Sequence, residues 1–169
     1  MEEDKIKNAL WKLPYSEERY LLADICKEIK EKIKDLSFEW EIGVGTDSQI
    51  RGNSVFFTTV ICIYQKSKGG TYYYINDVVS KKSFGMGNNQ VLRMYEEVRK
   101  TLEIASILET ETNKKPMVHV DASKAHKKAF TSSFSEQLKG YVVSSGFECI
   151  LKPDSYVASC IADRHSKKS

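Results

Sequence analysis

Four acidic residues have the type and placement for work on a phosphate ester: Asp47, Glu97, Asp121 and Asp163. Asp47 follows the apolar alternation Trp40, Ile42, Val44 and stands inside Gly45-Thr46-Asp47-Ser48-Gln49. Asp121 closes the short apolar run Met117-Val118-His119-Val120. Glu97 lies in the middle of a long amphipathic stretch, and Asp163 lies near the C-terminal end. Carboxylates gathered in one place repel and raise one another's pKa unless a cation neutralises them. Their hard oxygens suit Mg²⁺ or Mn²⁺. Two such ions, about 4 Å apart, can activate a water and stabilise the leaving oxygen of a phosphodiester. The expected cofactor is therefore a pair of Mg²⁺ or Mn²⁺ ions, with all four acids as both metal ligands and catalytic residues.

Each residue also has a plainer role. Asp47 can cap a turn through Ser48 and Gln49, Asp121 can begin a loop, and Glu97 can be a solvated helix residue. Asp163 can pair with Arg164 or Lys167, and Asp154 suits the N-cap of a last helix in Pro153-Asp154-Ser155. His119 shares a strand face with Asp121 and is more simply a packed histidine than a ligand. His165, less than a turn from Asp163, could serve as a base or phosphate contact. Tyr72 and Tyr74 share a strand face, where sheet packing competes with a base-stacking platform.

The elements that must position these residues follow from periodicity. Residues 1–38 form an N-terminal extension that reads as mostly helix, interrupted near Pro14. Ser16 suits a helix start, and Leu22, Ile25, Ile29, Ile33 and Leu36 recur at helical spacing. From residue 39 the period changes. Residues 40–49, 55–64 and 71–79 read as three strands, separated by turn signals at Gly52-Asn53 and Gly69-Gly70, so they predict an antiparallel meander. Gln90–Leu108 predicts a helix with Val91, Met94, Tyr95, Val98, Leu102, Ala105 and Leu108 on one face. Glu97 flanks that face and Glu96 points away from it. A strand at 117–121, a helix at 132–145 ended by Gly146, a strand at 147–151 and a last helix to about Ser166 complete the pattern β-β-β-α-β-α-β-α. That pattern predicts a mixed five-stranded α/β sheet covered by helices. If its first and fourth strands run parallel as neighbours, Asp47 and Asp121 emerge together at the carboxyl edge, where open sheets place their sites.

Composition narrows the classes. The chain has 169 residues, 41% apolar and 29% charged, as an ordinary globular protein does. No apolar run approaches the roughly 20 residues of a membrane span. The acidic start MEEDKIKNAL lacks the layout of a secretion signal, so a cytoplasmic location is expected. None of the four cysteines forms a CxxC pair, and buried free thiols are expected. No zinc-type Cys/His set, Walker loop, Gly-x-Ser-x-Gly elbow or dinucleotide fingerprint competes for the chemistry. A net charge of +3 excludes a basic nucleic-acid coat protein. The charge is uneven, however. Five lysines lie in 114–128, and Lys152, Arg164, Lys167 and Lys168 cluster in the tail. Lys152, Arg164 and Lys167 are the expected phosphate contacts.

The motifs GTDSQ at 45–49, RMYEEV at 93–98, HVDAS at 119–123, GYVVSSGF at 140–147 and KPDSYVASCIADRHSK at 152–167 together resemble the ribonuclease H-like family typified by bacterial YkuK, a domain of unknown function. The resemblance spans about residues 40–168. It implies the ribonuclease H-like fold, in which the first strand, first helix, fourth strand and last helix each supply an acid. Those roles fall on Asp47, Glu97, Asp121 and Asp163, with Glu96 and Asp154 as the alternatives for the helical glutamate and the last acid. The expectation is a divalent-metal-dependent nuclease acting on RNA, DNA or a hybrid. The alternatives are a non-catalytic nucleic-acid-binding module or a protein-interaction module on the same fold, with oligomeric state left open.

Overall fold

The computed structural model describes residues 2–35, 37–65, 68–85, 89–123, 132–157 and 161. Its centre is a meander of three twelve-residue antiparallel strands, β3 (Trp40–Arg51), β4 (Ser54–Gln65) and β5 (Gly69–Ser80). β-Branched and aromatic residues dominate β4, which pairs along its whole length with both neighbours. Gly52-Asn53 closes the first hairpin between the paired Arg51 and Ser54, with Gly52 at φ 56°. That φ is one a two-residue hairpin loop needs and glycine adopts without strain. Gly69-Gly70, expected as a turn, instead begins β5, paired with Gln65 and Tyr64.

Two parallel strands extend the sheet on the other side of β3. They are β6 (Met117–Ser123), next to β3, and β7 (Cys149–Lys152), next to β6. Helix α3 (Gln90–Thr112) makes the crossover into β6 and α4 (Ser132–Ser144) the one into β7. The Asn89 side chain starts α3 by accepting from Leu92 N–H, and Asn113 ends it in the left-handed region at φ 55°.

The sheet has seven strands rather than five, in the order β2-β1-β5-β4-β3-β6-β7. The two extra strands come from the segment expected to be mostly helical. Helix α1 (Glu2–Lys7) leads into β1 (Trp11–Lys12) and β2 (Arg19–Tyr20), which pair with each other, and Lys12 pairs with Tyr74 of β5. Helix α2 (Leu22–Ile33) then follows. It does not start at Ser16, whose hydroxyl accepts from Glu18 N–H in the preceding turn. Its start is capped from within by Asp24, which accepts from Leu21 N–H.

One face of the sheet carries α2, α3 and α4. Leu22, Ile25 and Ile29 of α2 and Ile104 and Leu108 of α3 pack with Trp11, Ile42, Val44, Ile61, Ile63 and Tyr73. Farther along, Met94, Val98, Leu102 and Ala105 of α3 meet Val118, Val120 and Ala122 of β6, together with Leu138 and Val142 of α4. The opposite face holds Val60, Cys62 and Val157, with Tyr64, Tyr72, Tyr74, Tyr156 and Ile161 packed around them. Tyr72 and Tyr74 are therefore part of that packing, the plainer of their two expected roles. Cys26 and Cys62 are buried free thiols and Cys149 is a half-buried one. Among the described residues no helix is long and apolar enough to cross a membrane.

Candidate functional site

The site lies where the parallel pairing of β3 and β6 gives out. That ladder runs through Gly43–Met117, Val44–Val118 and Gly45–His119. Two residues further along each strand come Asp47 and Asp121. That the two strands be neighbours and parallel was the condition set by the sequence, and it is met. Asp121 also falls at an irregularity in the β6–β7 ladder, between the pairs Val120–Leu151 and Ser123–Lys152. Such irregularities re-aim side chains next to functional sites. Through the second of these pairs β7 delivers Lys152, whose Nζ lies 2.5 Å from Asp121 Oδ1.

Glu97 extends from α3 toward β3, to Ser48 beside Asp47. Its side chain is buried, and Oε1 accepts from the Ser48 hydroxyl at 2.6 Å. Burial pushes the Glu97 carboxyl up to about 8. The Ser48 hydrogen bond and the Arg93 charge pull it down, while the Asp47 and Asp121 charges push it up. Two of the four expected acids, Asp47 and Asp121, thus act electrostatically on a third. Glu96 faces elsewhere, held by Arg99 at 2.8 Å and by Lys100. Ser48 and Arg93 are the site residues that sequence reasoning passed over, although both lie in quoted motifs. Arg93 Nη1 donates to Ser48 Oγ at 2.8 Å and to the Ser48 carbonyl at 3.3 Å. One turn beyond Glu97, Thr101 Oγ1 lies 2.8 Å from both Thr46 Oγ1 and the Glu97 carbonyl oxygen. Thr46 in turn bonds Thr59 at 3.0 Å. This hydroxyl chain pins α3 to β3 and β4 beneath the site.

The metal cluster is less complete than expected. Among the described residues no group of three or more His, Cys, Asp or Glu side chains is drawn together closely enough to hold a metal ion. Asp163, Arg164, Lys167 and His165 lie outside the described residues. Asp154 is exposed, in the turn between β7 and Tyr156. His119 takes the packed role. It is 2% exposed and edge-on to Tyr156 at 4.8 Å, and neither ring nitrogen has a hydrogen-bond partner among the described residues. Burial lowers its pKa to about 4, so the ring is neutral at ordinary pH. Gly43 makes room for it, since a Cβ there would lie 2.9 Å from His119 Nε2 and from Val157 Cγ2.

Comparison with known proteins agrees with this architecture. The chain is 26% identical over 165 residues to the uncharacterized protein YkuK of Bacillus subtilis (strain 168), a match covering 90% of this chain and 94% of that protein. No solved structure matches it. A family model described as ribonuclease H-like matches residues 24–167, from early in α2 through every element that builds the opening around Asp47 and Asp121. The chain belongs to the ribonuclease H-like family.

Proposed function

We propose that the protein is a divalent-metal-dependent nuclease that hydrolyses phosphodiester bonds in nucleic acid. The observation that carries this reading is the placement of Asp47 and Asp121, each two residues past the last rung of the β3–β6 ladder, with the charges of both acting on the buried Glu97 carboxyl. An all-oxygen donor set suits Mg²⁺ or Mn²⁺ rather than zinc. A carboxyl group raised by burial and by two neighbouring carboxylates is a site short of positive charge. Asp47, Glu97 and Asp121 would hold the cation, with Asp163 as the fourth acid. When bound, it supplies charge neutralisation at phosphorus and a more acidic water.

The chain's own residues do the rest. Asp47 and Asp121 orient the water for in-line attack. A P–O bond forms from the water oxygen, one ester P–O bond breaks, and the products are a phosphomonoester and a free hydroxyl. Lys152 would hold a non-bridging phosphate oxygen, and Arg164 and Lys167 would hold neighbouring phosphates.

The Lys152–Asp121 ion pair favours a second reading, because a cation built into the protein already neutralises one acid. On that reading the protein binds nucleic acid without cutting it. The binding would be salt-sensitive and indifferent to chelator.

One experiment separates the two. Purified protein is incubated with Mn²⁺ or Mg²⁺ and labelled RNA, single- and double-stranded DNA, Holliday junctions and RNA–DNA hybrid, with Asp47→Asn in parallel. The expected result is metal-dependent cleavage of at least one substrate, lost in a variant that keeps its fold by circular dichroism. Full activity in Asp47→Asn overturns the site. Chelator-resistant binding with no cleavage in any lane overturns the nuclease in favour of the binding module.

A further inference from the structure

We infer that Ser48 and Arg93 are positioning residues that set the orientation of the Glu97 carboxylate toward a divalent cation, an inference that rests on the metal-dependent reading above. The hydrogen bonds run from α3 to β3 and back to α3. A guanidinium has donors and no acceptor, so Arg93 Nη1 must donate to Ser48 Oγ, at 2.8 Å. The Ser48 hydroxyl in turn donates to Glu97 Oε1, at 2.6 Å. One carboxylate oxygen is fixed by the protein. The other, Oε2, has no hydrogen-bond partner among the described residues and is the oxygen left for a ligand.

The three residues also join two elements. Arg93 and Glu97 are one helical turn apart on α3, while Ser48 follows Asp47 on β3. The second bond from Arg93, to the Ser48 carbonyl at 3.3 Å, holds the β3 backbone itself. The bracket therefore sets the spacing between the acid on the strand and the acid on the helix. Hydrogen-bonded supports of this kind usually govern metal affinity by about 10–100-fold.

The test is Mn²⁺ affinity of the full chain, read from the electron paramagnetic resonance signal of free Mn²⁺ with no substrate present. Glu97→Gln should abolish tight binding. Ser48→Ala and Arg93→Gln should each weaken it by about tenfold or more, and Ser48→Thr, which keeps the hydroxyl, should restore it. Thermal melts identify any variant that does not fold, and should Ser48→Ala fail, Arg93→Gln carries the same comparison. Wild-type affinity in the folded Ser48→Ala or Arg93→Gln protein, alongside loss in Glu97→Gln, overturns the positioning role and leaves the metal-dependent reading standing. Absence of Mn²⁺ binding in the wild-type protein overturns both.

Discussion

Glu97 is held at a cost to stability. Its carboxyl sits at about 8 in the folded protein against an ordinary value of 4.5, chiefly through burial. A raised pKa means that the folded form keeps a proton which the unfolded chain gives up. Its contribution to stability is fully present below about pH 4.5 and is lost as pH rises through 8, with a slope of up to about 1.4 kcal/mol per pH unit. Glu97→Gln removes the ionisation, yet its side-chain oxygen can still accept from Ser48. The metal-free variant should melt higher than wild type at pH 8 and at nearly the same temperature at pH 4.5. Differential scanning calorimetry at the two pH values checks this, and an equal difference at both would show that ionisation is not the cause. The same carboxylate shows what a sequence can and cannot reveal about a site. The helical wheel separates Glu97 from Glu96, because neighbours on a helix point about 100° apart. It gives no sign of Ser48 or Arg93 as partners of Glu97. Their contact joins positions 45 apart in the chain, and no local pattern encodes it.

At the scale of the element, the strands long enough to alternate were legible, as was the helix carrying a seven-residue apolar face. β1 and β2 were not. Strands of two residues have no period to detect, and Trp11 becomes a sheet residue only because β5 and α2 give it a place to bury. The start of α2 was misplaced for a related reason. Its N-cap position is Leu21, and the capping oxygen comes from Asp24 inside the helix. Gly43 is a further constraint visible only in three dimensions. It sits in the middle of β3, where glycine ordinarily weakens a strand, because the His119 ring lies against it. Gly43→Ala should therefore destabilise the protein by about 1–3 kcal/mol, as overpacking does, despite alanine's better fit to strand geometry. Urea unfolding measures the difference. An unchanged midpoint would mean that His119 and Val157 can both move aside.

For the whole molecule, the fold class and the shared strand edge of Asp47 and Asp121 followed from element order, because alternating helices and strands admit few topologies. The N-terminal segment resisted that reasoning. Its residues Trp11, Leu22, Ile25 and Ile29 enter the same core as Ile42 and Val44, and the family match begins at residue 24. The contacts also divide by range. The meander is built from hairpins, starting with Arg51 against Ser54. The β3–β6 ladder instead joins Val44 to Val118, 74 positions away. Closing so long a loop is entropically more demanding and slower than zipping a hairpin. Amides of the Gly43–Gly45 and Met117–His119 ladder should thus exchange with solvent sooner than those in the centre of β4, as native-state hydrogen exchange can measure. Equal protection in both would mean that the sheet opens as one unit.

That division bears on the order of events in the life of the chain. During synthesis the meander, with Asp47 in it, is complete before β6 has been made. The partner acid arrives only after α3 has been laid down and the chain has turned back along β3. A partly made chain, or one that has opened along this seam alone, keeps most of its sheet but does not hold Asp47 beside Asp121. Whatever the two acids do together is therefore withheld until this long-range seam has closed, and it is lost when the seam parts.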